Sequence, residues 1–117
     1  MPTFWVTVRV ELHKDDARTQ AHSPTASEYG VLHKEMRKRA FRRFYEGASK
    51  HKFKLPPGEY MMVLEATTSM AARDHALGKA KEAAAIATSE KRFSLLVNAA
   101  GSITSHQLEI IVTDPDE

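Results

Sequence analysis

Residues Thr3–Leu12 read TFWVTVRVEL. Phe4, Val6, Val8, Val10 and Leu12 fall on one side, and Trp5, Thr7, Arg9 and Glu11 on the other. Alternation of this kind marks a strand with one buried face. The segment predicts a sheet whose apolar face something else in the chain must cover.

Two helical patterns meet that need. Tyr29, Leu32, His33, Met36 and Ala40 recur at helical spacing and form one stripe. Pro24 suits the start of this helix, Thr25 and Glu28 fit a capping box, and Gly30 weakens its first turn slightly. The second pattern covers Met70–Ala87, with N-cap candidates in Thr67, Thr68 and Ser69. It is rich in alanine (Ala72, Ala76, Ala80, Ala83, Ala84, Ala87), which suits close packing on a sheet, with Leu77 as its large branched anchor. Between the helices, Phe41–Tyr45 alternates and predicts a second strand, and Glu59–Ala66 reads as a buried third. Tyr60, Met62 and Leu64 share one face of that third strand; Met61 and Val63 share the other. Arg92–Ala99 predicts a fourth strand, ended by Ala100-Gly101, and Gln107–Val112 a short extra one within the extension 101–117. Two polar stretches connect these elements, a long loop at 13–23 and Glu46–Pro57, the latter running into Pro56-Pro57-Gly58.

The order is β-α-β-β-α-β. It predicts an α+β, ferredoxin-like sandwich in a single domain over 1–117: one antiparallel sheet, two helices on one face, and an extra C-terminal strand. The other sheet face, with Trp5, Thr7, Arg9 and Glu11, is left for a partner or ligand. Such a fold hosts many functions, so function must be read from a site.

Composition narrows the choice. The 117 residues contain no cysteine, which excludes disulfide scaffolds, thiolate zinc sites and cysteine nucleophiles. No apolar run approaches the roughly 20 residues of a membrane span. Residues Met1–Leu12 lack the pattern of a secretory signal, so a cytoplasmic protein with no membrane partner is expected. No glycine-rich nucleotide loop is present, and no cofactor is expected. The formal charge of +2 and the pI near 9.0 conceal a split. The window His33–Lys54 holds nine Lys/Arg against Glu35 and Glu46, a net +7. The remaining eight Lys/Arg and thirteen Asp/Glu give −5, and the last four residues are the acidic Asp114-Pro115-Asp116-Glu117. Such a window is either a solvated helix face and loop or a patch for a polyanion, most often a nucleic acid.

Among six histidines, His33 stands out. It lies on the flank of the first helix stripe, with Arg37 one turn on and Lys34 and Lys38 further round. A half-buried histidine near cations has a lowered pKa and is neutral near pH 7, as a general base must be. The same position also suits a packing histidine that only hydrogen-bonds its surroundings. No histidine pair has metal-ligand spacing, and Asp15 and Asp16, after the first strand, are weak magnesium candidates, since two Asp residues in a polar loop are more often turn formers.

Three segments carry a family resemblance: EYGVLHKEMRKRAF (28–41), LPPGEYMMVLE (55–65) and KRFSLLVNAAGSI (91–103). Together they resemble the GhoS-like small proteins, antitoxins of type V toxin–antitoxin systems. The best fingerprint is Y-x-x-L-H-x-x-M, from Tyr29 to Met36. The resemblance implies a ferredoxin-like fold, similar to the small nuclease-like subunit of CRISPR adaptation complexes, and endoribonuclease activity toward a toxin mRNA. In the family antitoxin a first-helix arginine is implicated in activity; His33 stands opposite that position here, and Arg37 and Lys34 would supply the charge.

The resulting expectation is an RNA-binding endoribonuclease that needs no metal. His33 would be the base, with Arg37 and Lys34 stabilising charge. Lys38, Arg42, Arg43, Lys50, Lys52 and Lys54 would hold the backbone, and Trp5 would stack on bases. The alternatives are a non-catalytic RNA-binding regulator and a protein-interaction module, a homodimer through the sheet face or edge.

Overall fold

The computed structural model describes residues 1–47 and 49–117. In chain order the elements are β1 (Thr3–Leu12), α1 (Ser27–Lys38), β2 (Phe44–Glu46), β3 (Lys52–Lys54), β4 (Glu59–Glu65), α2 (Ser69–Ala87), β5 (Phe93–Ala100) and β6 (Ile110–Ile111). A single 3₁₀ turn, Glu90–Arg92, precedes β5. The fold is α+β, with two antiparallel sheets ordered β4-β1-β5 and β2-β3-β6.

β1 is the centre of the main sheet. Val8 sits opposite Tyr60 of β4 and Val97 of β5, and Val6 opposite Met62, so the apolar faces of all three strands coincide. Both helices cover that face. Val6, Val8, Val10 and Leu12 pack with Tyr29, Leu32 and Met36 of α1 and with Ala72, Ala76, Ala80, Ala83 and Ala84 of α2 in one buried cluster. The buried surface of α2 is therefore all alanine, which lets the helix lie close on the sheet. Leu77, expected as its anchor, is instead 37% exposed, and Ile86 is 55% exposed. Of the three N-cap candidates, Thr68 accepts a hydrogen bond from the Ala71 N–H.

The first helix differs from expectation at both ends. Its N-cap is Ala26, with no side-chain cap, and the Thr25 hydroxyl bonds that of Ser23, so the Thr25–Glu28 capping box does not form. At its other end, Ala40 adopts φ 71°, the Phe41 N–H reaches the Met36 carbonyl and the Ala40 N–H the Arg37 carbonyl. This is a Schellman motif with alanine where glycine is usual. Its hydrophobic pair is Phe41 and Met36, both in the main core. Phe41 thus belongs to the helix stop, and the predicted strand over Phe41–Tyr45 shrinks to β2, three residues further on. Only one bridge, Arg42 with Met61, joins this stretch to the main sheet.

The predicted connection Glu46–Pro57 contains β3, a strand of Lys52-Phe53-Lys54; its position 48 lies outside the described residues. The expected strand over Gln107–Val112 is reduced to β6, which pairs with β3. This second sheet and residues 103–108 build a smaller cluster of Tyr45, Leu55 and Met61, packed by Trp5, Phe53, Ile103 and Leu108. Part of the sheet face expected to be open is therefore covered, at Trp5 and Met61. Gly58, at φ +81°, brings its backbone against β1: a Cβ there would stand 2.9 Å from the Val10 carbonyl oxygen, which only glycine avoids. Among the described residues no helix is long and apolar enough to cross a membrane.

Ala40 is exposed and loses no packing on truncation. The left-handed conformation costs an L-residue about 1–2 kcal/mol, and glycine's extra unfolded-state entropy returns about half of that. Ala40→Gly is expected to raise the unfolding free energy in urea by about 0.5–1 kcal/mol. A loss of stability would contradict the Schellman geometry.

Candidate functional site

The Schellman turn delivers Arg42 and Arg43 to one corner of the molecule. Reciprocal backbone hydrogen bonds of 2.8 Å between Arg42 and Met61 fix the chain beside β4. Successive side chains of extended backbone point in opposite directions. Arg43 accordingly lines a cavity of about 130 Å³ with Tyr29, His33, Lys54 and Pro56–Gly58. Arg42 lines another, of about 370 Å³, with Trp5, Phe44, Tyr45, Met61 and Val63.

His33 is half-buried in the first of these cavities. A 2.6 Å hydrogen bond joins its Nδ1 to the Tyr60 hydroxyl, and its ring lies between those of Tyr29 and Tyr60, with centroids 6.2 and 5.8 Å away. Burial lowers the imidazole pKa, the Arg43 charge lowers it further, and Asp116 opposes them; the net shift is downward. Burial pushes the Tyr60 phenol far up, against the pull of Arg43, so Tyr60 remains a neutral hydroxyl. When Nδ1–H donates to the Tyr60 oxygen, Nε2 keeps its lone pair and is the basic nitrogen; when the phenol donates to Nδ1, Nε2 carries the proton.

The acidic segment at 114–116 folds over the arginines. Asp116 receives two hydrogen bonds from Arg43, from Nε at 2.8 Å and from Nη2 at 2.6 Å. Asp114 accepts from Arg37 Nε at 3.0 Å and lies 3.5 Å from Arg42 Nε. The Asp116 N–H also donates to Asp114 Oδ1 at 2.8 Å, which makes the two carboxylates one turn. Both carboxylates are about nine-tenths buried. Burial alone would raise the Asp114 pKa, but the Asp116 N–H and the two guanidiniums hold it below the usual range. The hydrogen bonds to Asp116 raise the Arg43 pKa despite its partial burial.

The remaining candidates scatter. Lys34 is exposed, and among the described residues it makes no ion pair. Lys38 pairs with Glu35 at 3.0 Å. Lys52 reaches Glu46 at 3.7 Å and lies over the Phe44 ring, whereas Lys50 is exposed in the loop after β2. Asp15 is a turn former, accepting from the Thr19 and Gln20 N–H groups, and Asp16 pairs with Arg92 at 2.7 Å. Among the described residues no three His, Asp or Glu side chains gather as a metal site. The cation that acts on His33 is Arg43, itself held by Asp116, while Arg37, expected beside His33 from sequence, holds Asp114 instead. Tyr60, Asp114 and Asp116 were not foreseen as site residues. The acidic segment and the basic window were both visible, but nothing local linked them. No family model, curated protein or solved structure matches the chain.

A histidine whose folded pKa lies below its unfolded value makes the unfolded state bind more protons as pH falls. Its contribution is complete above the ordinary histidine range and is lost as pH drops through 6.5 toward the folded pKa. Stability is expected to fall between pH 7.5 and 5, and His33→Gln should flatten that fall. Equal pH slopes for wild type and variant in urea melts would show that the His33 environment does not depress its pKa.

Proposed function

We propose that this protein binds RNA and cleaves it by internal transesterification at His33, as an antitoxin-like endoribonuclease of the GhoS-like kind. One observation carries the reading: a half-buried imidazole held by Tyr60 shares a cavity with Arg43 and Lys54. In this reading Nε2 of His33 takes the proton of a ribose 2′-hydroxyl. The 2′ oxygen forms a bond to phosphorus while the bond to the 5′ oxygen breaks. Water protonates the departing oxygen, leaving a 2′,3′-cyclic phosphate and a 5′-hydroxyl. Arg43 and Lys54 stabilise the added charge on the phosphorane, and Tyr60 orients the ring as a positioning residue.

The fold supports this reading in outline. The β5-β1-β4 order of the main sheet and the isolated Arg42–Met61 bridge toward β2 are compatible with a ferredoxin-like sheet, and to that extent support the resemblance. Trp5 and Arg42 share the larger cavity, where a base can stack beside a cation. Binding without cleavage is the second reading. It is favoured by the same His33–Tyr60 bond, because the tautomer that receives the phenolic proton leaves no base at Nε2.

Incubation with a mixed RNA pool in EDTA decides between them. Cleavage with cyclic phosphate ends is expected, reduced at least about 100-fold by His33→Ala and by Arg43→Ala. Tyr60→Phe keeps the ring but frees Nδ1, and is expected to shift the acidic limb of the pH–rate profile. Binding with no cleavage selects the second reading. Cleavage that survives His33→Ala intact removes the assignment.

A further inference from the structure

We propose that the segment Asp114–Asp116 is an intramolecular competitor for RNA, holding with two carboxylates the arginine cluster that the RNA phosphates would otherwise occupy. The inference rests on the RNA-binding reading and adds a regulated availability to its cationic surface.

Arg37, Arg42 and Arg43 lie within seven residues and converge on one corner, and each of them meets Asp114 or Asp116. The geometry at Arg43 is bidentate, the same fork that guanidinium offers to a phosphate. Asp114 lies between two arginines, as an anion bridging two cationic side chains would. The backbone around the carboxylates is a turn joined to the body by the two-residue strand β6, a short attachment. The cluster also borders both cavities, since Arg43 lines one and Arg42 the other. An RNA strand running from the Trp5 cavity to His33 therefore crosses the ground that Asp114 and Asp116 hold. Of the basic window, the helix-flanking arginines are occupied while Lys34, Lys50 and Lys54 remain exposed. First encounter then falls to the lysines, and full engagement requires the acidic turn to leave.

The test measures binding of fluorescent single-stranded oligouridylate as a function of salt. The double variant Asp114→Asn/Asp116→Asn is compared with wild type and with Asp74→Asn/Glu82→Gln, which changes the same formal charge on exposed positions of α2. Freeing Arg37 and Arg43, and unpairing Arg42, whose Nη1 still donates to the Arg37 and Phe41 carbonyls, is expected to tighten binding about tenfold at 0.15 M salt and to steepen the log–log salt slope by about 1–2, beyond any change in the α2 control. Adding Arg37→Ala and Arg43→Ala to the double variant should abolish the gain. Asp116→Asn alone, which leaves Asp114 on Arg37 and Arg42, serves if the double variant fails to fold, with about a threefold gain expected. If wild type binds RNA and the Asp variants bind no tighter than the α2 control, the competitor is overturned and the RNA reading stands. If none of the proteins binds RNA, the RNA reading fails, and retention on heparin decides the competitor separately. Later elution of the Asp variants than of the control upholds it as a shield against polyanions, and equal elution overturns it.

Discussion

Three guanidinium groups gathered at one corner repel one another unless anions stand among them. Asp114 and Asp116 supply those anions from the far end of the chain, 73 to 77 residues away from Arg43 and Arg37. The pairing has two consequences. It ties residues 114–116 onto the turn after α1, and it fixes the electrostatic field in which His33 sits. Burial lowers the imidazole pKa, Arg43 lowers it further and Asp116 opposes them, so His33 and the acidic turn are parts of one charge balance.

The helix stop makes that corner. Ala40 in a left-handed conformation lets Phe41 fall back on Met36, and the backbone then leaves α1 with Arg42 and Arg43 pointing to separate cavities. The core behind it is plain. A valine stripe on β1 meets an alanine surface on α2 and three larger side chains on α1. Small side chains allow close approach, so the site is carried on a rigid two-layer body while the pieces that close it, β2, β3 and β6, are two or three residues long. Strands this short contribute little pairing energy alone and depend on the Tyr45–Leu55–Met61 cluster beneath them.

What could be read from the sequence followed from periodicity. β1, β4, β5 and both helices each span enough residues for a period of two or 3.6 to declare itself, and the strand faces were legible residue by residue, down to Tyr60 and Met62 against Met61 and Val63. Phe41–Tyr45 misled because a helix-stopping Phe41 mimics the first residue of an alternating strand. Lys52-Phe53-Lys54 is too short for any period and too charged to suggest a strand. Leu77 was read by its size, whereas on α2 the buried positions select the smallest side chains. Of the candidate site, His33 and the basic window were visible because they are local. The partners Tyr60, Asp114 and Asp116 were not, because a hydrogen bond across 27 residues and ion pairs across 73 to 77 exist only after folding. The same distance explains why Arg37 seemed available to His33 while its guanidinium in fact holds Asp114.

If the acidic turn holds the arginine corner, the two are energetically coupled, and a double-mutant cycle measures that directly. Unfolding free energies of wild type, Arg43→Ala, Asp116→Ala and the double variant should give a coupling of about 1–3 kcal/mol, as expected for a charge-assisted, largely desolvated pair. A coupling near zero would contradict the account, because the acidic turn would then lie on the arginines without holding them.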